Sequence, residues 1–161
     1  MKIGFILNGE DVVVNSGAEL RLVDILRNTF SLLGTKAGCY SGRCGNCSII
    51  FNGNVVKSCL IPAFIIQGSE IITIEGFSQT DEYQDIILGF SMTGLETCDF
   101  CNTGKVLTTE TLLGRNSQPS KDEILGAFKE IKCRCTEPEE LALGVTAVSE
   151  IRRRRLYGRS A

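Results

Sequence analysis

Between Gly38 and Cys59 the chain carries four thiols, Cys39, Cys44 and Cys47 in one short stretch and Cys59 after eleven intervening residues. This C-x4-C-x2-C…C spacing is one that holds a 2Fe-2S cluster, because each iron takes two thiolates and one loop must supply three of the four. Gly38, Gly42 and Gly45 are expected to permit the tight curl. A residue without Cβ reaches positive φ cheaply and lets backbone N–H groups approach sulfur, where they offset the cluster's negative charge.

Two blander uses of the same thiols compete with this reading. Structural zinc prefers two short C-x2-4-C pairs, whereas here three ligands share one loop. Disulfides belong to secreted chains, and no signal peptide can be read at the N-terminus, where the apolar run breaks at Asn8-Gly9 before Glu10 and Asp11. The chain has eight Cys and no His. Any metal must therefore be held by thiolates or carboxylates, and most histidine-based catalysis is excluded. Such cysteine usage predicts a reducing, cytoplasmic compartment.

With 161 residues, 43% of them hydrophobic, the chain is long enough for two small domains with packed cores. The longest apolar run, Leu60 to Ile66, is interrupted by Pro62 and is too short to span a bilayer. A net charge of −2 gives no reason to invoke nucleic acid.

Lys2 to Leu7 and Val12 to Val14 read as strands joined at Asn8-Gly9, a hairpin signal that recurs at Asn52-Gly53 between Ser48–Phe51 and Val55–Lys57. Glu19 to Leu33 has helical periodicity, with Leu20, Val23, Leu26, Phe30 and Leu33 on one face and Asn15 or Ser16 as cap. Glu70 to Ile74 reads as a closing strand. Beyond a linker at Phe77 to Thr80, helices are expected over Asp81–Ser91, Gly104–Leu113, from a capping box at Ser120-Lys-Asp-Glu123 to Ile131, and over Glu139–Arg154 with Pro138 in the first turn. The fold class is therefore α+β: an N-terminal β-grasp domain, residues 1–76, followed by a C-terminal four-helix bundle, residues 77–161.

The helical half has a second thiol set, Cys98-Asp-Phe-Cys101 and Cys133-Arg-Cys135. C-x2-C alone serves zinc, redox disulfides and iron-sulfur clusters alike, but C-x-C is awkward for a disulfide and uncommon in zinc modules. With the helices as read, these thiols lie at helix starts, where the dipole favours an anionic cluster.

A plant-type cysteine loop followed by C-x2-C…C-x-C resembles the small iron-sulfur subunit of the molybdenum hydroxylases, a family that includes xanthine, aldehyde and carbon monoxide dehydrogenases and nicotinate and isoquinoline oxidoreductases. The likeness rests on Gly34-Thr-Lys-Ala-Gly-Cys-Tyr-Ser-Gly-Arg-Cys-Gly-Asn-Cys-Ser48, Val56-Lys-Ser-Cys-Leu60, Cys98-Asp-Phe-Cys-Asn-Thr-Gly104 and Cys133-Arg-Cys-Thr136. It implies two 2Fe-2S clusters acting as a relay. Cys98, Cys101, Cys133 and Cys135 would hold the proximal cluster, beside molybdopterin in a large partner subunit. Cys39, Cys44, Cys47 and Cys59 would hold the distal one, passing electrons towards FAD in another subunit or domain. The chain itself would carry no catalytic residue.

The sequence departs from the family's pattern at Thr97, Asp99, Asn102, Thr103 and Glu137, and Glu130-Ile131-Lys132 replaces the family's Gly-Asn-Leu. Some of these positions approach the pterin in the family, so one alternative is a ferredoxin-like adaptor of a complex without molybdopterin. Another is a two-zinc interaction module with four thiolates per site. Asp99 is expected to lower the potential of the bundle cluster, since a carboxylate disfavours an added electron. Phe100 is expected to shield that cluster. Arg152 to Arg155 with Arg159 form a basic tail suited to partner docking, and Asp81, Glu82 and Asp85 are acids favoured at a helix start.

Overall fold

The structure, a computed structural model, describes residues 1–158. Strands β1 (Lys2–Leu7), β2 (Glu10–Asn15), β3 (Ser48–Phe51), β4 (Asn54–Lys57) and β5 (Glu70–Ile72) form one sheet in the order β2-β1-β5-β3-β4. The two hairpins, β1–β2 and β3–β4, are antiparallel, while β5 lies between them, parallel to β1 and antiparallel to β3. Both hairpin turns have the backbone that Asn-Gly favours. Asn8 and Gly9 lie at φ 51° and 85°, Asn52 and Gly53 at 47° and 82°, and positive values at both central residues match the right-handed twist of the flanking strands.

Helix α1 (Leu22–Asn28) packs across one face of the sheet, burying Leu22, Ile25 and Leu26 against Ile3, Phe5, Ile49 and Ile71. It is shorter than its periodicity predicts. The Leu20 carbonyl accepts from Ala63 N–H and Leu22 N–H donates to the Ile61 carbonyl, so the segment before the helix is held extended against the 60s. At the other end Ser31 takes φ 56° and turns the chain, leaving Leu20 and Leu33 exposed. Neither Asn15 nor Ser16 caps the helix; Arg21 holds that position.

The closing strand expected to reach Ile74 ends at Ile72; a short helix α2 (Ile74–Phe77) follows, and the linker, now residues 78–80, leads into α3 (Asp81–Met92), α4 (Asn102–Arg115), α5 (Lys121–Phe128) and α6 (Pro138–Tyr157). Local sequence sets these starts. Thr80 accepts from Tyr83 N–H, Ser120 and Glu123 form a reciprocal capping box, and Pro138 opens α6 behind a second box made by Glu137 and Glu140. The bundle core joins Ile86, Phe90, Val106, Leu107, Ile124, Phe128, Val145 and Val148.

Bundle and sheet share a face. Ile50 belongs to the bundle core while its neighbour Ile49 faces α1; Ile71 and Ile72 divide in the same way. Adjacent strand residues point to opposite faces, so the Ile-Ile pairs of β3 and β5 are what a strand covered on both sides requires. The connection is pinned as well. Asn8 at the hairpin tip accepts from Thr73 N–H at 2.8 Å and donates to Thr73 Oγ1 at 3.0 Å.

Candidate metal centres

All eight cysteines are free thiols. The first set lies where the loop between α1 and β3 meets the end of the β3–β4 hairpin. Cys47 immediately precedes β3, and Cys59 sits in the 3-10 turn Ser58–Leu60 that follows β4. Ser58 fastens the two ends, its N–H and hydroxyl both donating to the Cys47 carbonyl, at 3.1 and 2.8 Å. Cys47 and Cys59 are 2% and 3% exposed, whereas Cys39 is on the surface. Burial pushes the Cys47 thiol up to about 11.

The loop curls as its glycines allow, with one difference. Gly42 and Gly45 lie at φ 72° and 79°, but the third left-handed residue is Tyr40, at 53°, rather than Gly38. Gly38 matters for space: a Cβ there would stand 2.9 Å from Cys44 Sγ. The curl points three backbone N–H groups, those of Ser41, Arg43 and Cys44, at Cys39 Sγ over 3.2–3.4 Å. Hydrogen bonds from Ser41, then Cys44 and Arg43, bring the Cys39 thiol down to about 5. The loop thus favours thiolate, the form that binds metal.

The second set is drawn together by two helix starts. Cys98 and Cys101 lead into α4, where Lys105 N–H bonds the Cys101 carbonyl, and Cys133 and Cys135 lie just before α6. Their four Sγ atoms are mutually within 4.8 Å, with Cys98 3.3 Å from Cys101 and 3.4 Å from Cys133, and Cys101 3.2 Å from Cys135. These separations are well beyond a disulfide bond. Burial pushes the Cys101 thiol up; it acts against Cys135 too, but hydrogen bonds from Cys98, Cys101, Cys133 and Lys105 outweigh it and take that thiol down to about 6.

The two sets sit back to back. A Cβ on Gly104, in the first turn of α4, would stand 2.8 Å from the Gly45 carbonyl oxygen, so backbone meets backbone between the two thiol sets. Ile131 packs against both glycines. Thr103 Oγ1 donates to the Gly34 carbonyl at 3.0 Å, the Lys36 ammonium donates to the Asp99 carbonyl, and Lys57 pairs with Glu130. Several departures from the family pattern therefore have structural roles here. Thr97 donates to Asn102 Oδ1 at 2.6 Å to close the C-x2-C turn, and Glu137 starts α6.

An all-thiolate donor set, backbone donors aimed at sulfur, and four thiols gathered at helix starts suit an anionic iron-sulfur group at both places. Residues 5–70 match the family described as "2Fe-2S iron-sulfur cluster binding domain", and residues 73–146 match "[2Fe-2S] binding domain". The nicotinate dehydrogenase small FeS subunit of Eubacterium barkeri is 38% identical over 130 residues, 81% of this chain and 83% of that one. The chain belongs to the small iron-sulfur subunits of the molybdenum hydroxylases. Solved relatives agree with this iron-sulfur subunit in fold. Quinoline 2-oxidoreductase from Pseudomonas putida 86 has a TM-score of 0.83 at 36% identity, over 95% of this chain and 96% of that one. Aldehyde oxidoreductase from Desulfovibrio gigas has a TM-score of 0.85 at 30% identity, over 96% of this chain but 17% of that one. These relationships favour neither the zinc module nor the adaptor without molybdopterin.

Other sequence-predicted residues find different surroundings. Phe100, expected to shield the cluster, is 53% exposed. Arg152 is buried, 3.3 Å from Asp85 and 2.8 Å from Glu110, and Arg155 pairs with Asp85 and Glu82. These arginines and acids hold α3, α4 and α6 together instead of forming a free basic tail. Arg159 lies outside the described residues. One residue beside the thiols escaped the sequence reading: Lys105, whose Nζ lies 3.3 Å from Cys135 Sγ. Its i+4 spacing from Cys101 is a signal that helical periodicity could have supplied.

Proposed function

We propose that this chain is the electron-transfer subunit of a molybdenum-hydroxylase-like oxidoreductase. Cys39, Cys44, Cys47 and Cys59 hold one 2Fe-2S cluster, and Cys98, Cys101, Cys133 and Cys135 hold the other. Each cluster, when bound, supplies reversible uptake of a single electron. The protein's part is to place, insulate and tune. Cys47 and Cys59 anchor one site in the fold, the Ser41, Arg43 and Cys44 amides offset charge at Cys39, and the start of α4, at whose N-cap Cys101 stands, does so at the other site.

The observation that carries this reading is the close approach of Gly104 to the Gly45 carbonyl, which brings the loop bearing Cys44 and Cys47 up to the helix start bearing Cys101. A pair of independent structural metal sites has no need of that proximity. The partners in this proposal are a large molybdopterin-binding subunit beside the bundle cluster and an FAD-binding subunit or domain beside the loop cluster. Support for the large partner comes from the aldehyde oxidoreductase, of whose chain this fold is 17%. The matched spans, 5–70 and 73–146, support division into residues 1–76 and 77–161. Among the described residues no helix is long and apolar enough to cross a membrane. The free thiols suit a cytoplasmic placement.

Anaerobic purification from the native host tests the proposal. The expected product is brown, contains about two irons and two acid-labile sulfides per site, shows two reduced-cluster paramagnetic signals, and brings down a molybdenum-containing large subunit. A colourless, zinc-loaded protein overturns it.

A further inference from the structure

Lys105 is 3% exposed, in the first turns of α4, among the buried residues Thr103, Gly104, Val106 and Leu107. Its ammonium donates to Cys135 Sγ at 3.3 Å and to Thr136 Oγ1. Among the described residues no carboxylate pairs with it. A buried ammonium without a counter-charge is costly, and a fold retains one where an anion offsets it. The anion within reach is the thiolate of Cys135 and, through it, the cluster site as a whole.

We infer that Lys105 is a positioning residue that fixes a positive charge against Cys135 and thereby raises the midpoint potential of the bundle cluster. The inference rests on the two-cluster reading. Reduction adds one electron and breaks no bond; in the complex a molybdenum centre of the large partner would be the donor, and in the test it is dithionite. The new negative charge falls beside a fixed cation, so the reduced state is stabilised more than the oxidised one. Thr136 takes a second of the ammonium's three donors and holds it beside the sulfur.

The test is an anaerobic dithionite titration of the purified complex, followed by electron paramagnetic resonance, with the bundle signal identified by its change in Cys135→Ser. In Lys105→Met the bundle midpoint is expected to move negative by at least a tenfold change in the reduction equilibrium, about 59 mV for a one-electron couple. The loop-cluster midpoint stays in place, and Lys105→Arg keeps most of the wild-type value. An unchanged bundle midpoint in Lys105→Met overturns the inference. Should Lys105→Met lose the bundle signal, Lys105→Gln decides, because it keeps an N–H donor without the charge. An unmoved midpoint there overturns the inference, as does loss of the signal in both neutral variants, which assigns Lys105 to site assembly instead. A wild-type sample lacking two iron-sulfur signals refutes the two-cluster reading itself and is distinguishable from all of these outcomes.

Discussion

Asp99 stands between two thiols of the bundle site, yet it is exposed, and it is its backbone carbonyl that is held by Lys36. Water and salt screen an exposed carboxylate, while the buried ammonium of Lys105 acts at short range with little screening. Asp99→Gly is therefore expected to raise the bundle midpoint, but by less than Lys105→Met lowers it. The same redox titration measures both, and an equal or larger effect of Asp99 would show that solvent does not reach it. The contrast marks what single residues disclose in a sequence. The eight cysteines stood out because their spacing is written locally, three in one loop with Cys59 after the next hairpin, and two in each later pair. Lys105 did not, because its meaning depends on Cys135, which comes thirty residues later and is brought to it only by the folding of the bundle.

Helix and strand starts were legible wherever local chemistry sets them. The Ser120–Glu123 box, Pro138 and both Asn-Gly turns act through neighbours a few residues away, so the sequence carries the whole instruction. Helix α1 is shorter than its periodicity predicts because its start is set from a distance, by the backbone of Ile61 and Ala63, and its end by the turn at Ser31. Asp81 and Glu82 do open α3 as expected, but the pairing of its acids with the arginines of α6 was not legible, since Asp85 and Arg152 are far apart in sequence and 3.3 Å apart in space. Removing one partner from a buried ion network leaves the other uncompensated. Asp85→Ala is accordingly expected to destabilise the protein by about 3–5 kcal/mol, read from the shift in a urea unfolding curve. A change within a few tenths of a kcal/mol would mean that Arg152 and Arg155 are held chiefly by Glu110 and Glu82.

Across the whole molecule, the sharing of the sheet between α1 and the bundle brings the segments that carry the two thiol sets together at Gly45 and Gly104. Gly104→Ala would press a methyl group against the Gly45 carbonyl, where the neighbour is backbone and cannot swing aside. The expected result is a loss of about 1–3 kcal/mol together with slower passage of an electron between the clusters. Unfolding curves and rapid-mixing reoxidation of the bundle signal measure the two effects separately. If both stay at wild-type values, the contact between the halves is looser than the structure has it. The sheet order has its own consequence. Strand β5 is the last of the five in sequence and lies in the middle, so the two hairpins share no hydrogen bond with each other until residues 70–72 slot between them. On a ribosome the sulfur-bearing segment 39–59 leaves the exit tunnel before the strand that closes the sheet around it. For that interval it is open on one side, and its thiols are reached most easily before synthesis of this half is complete.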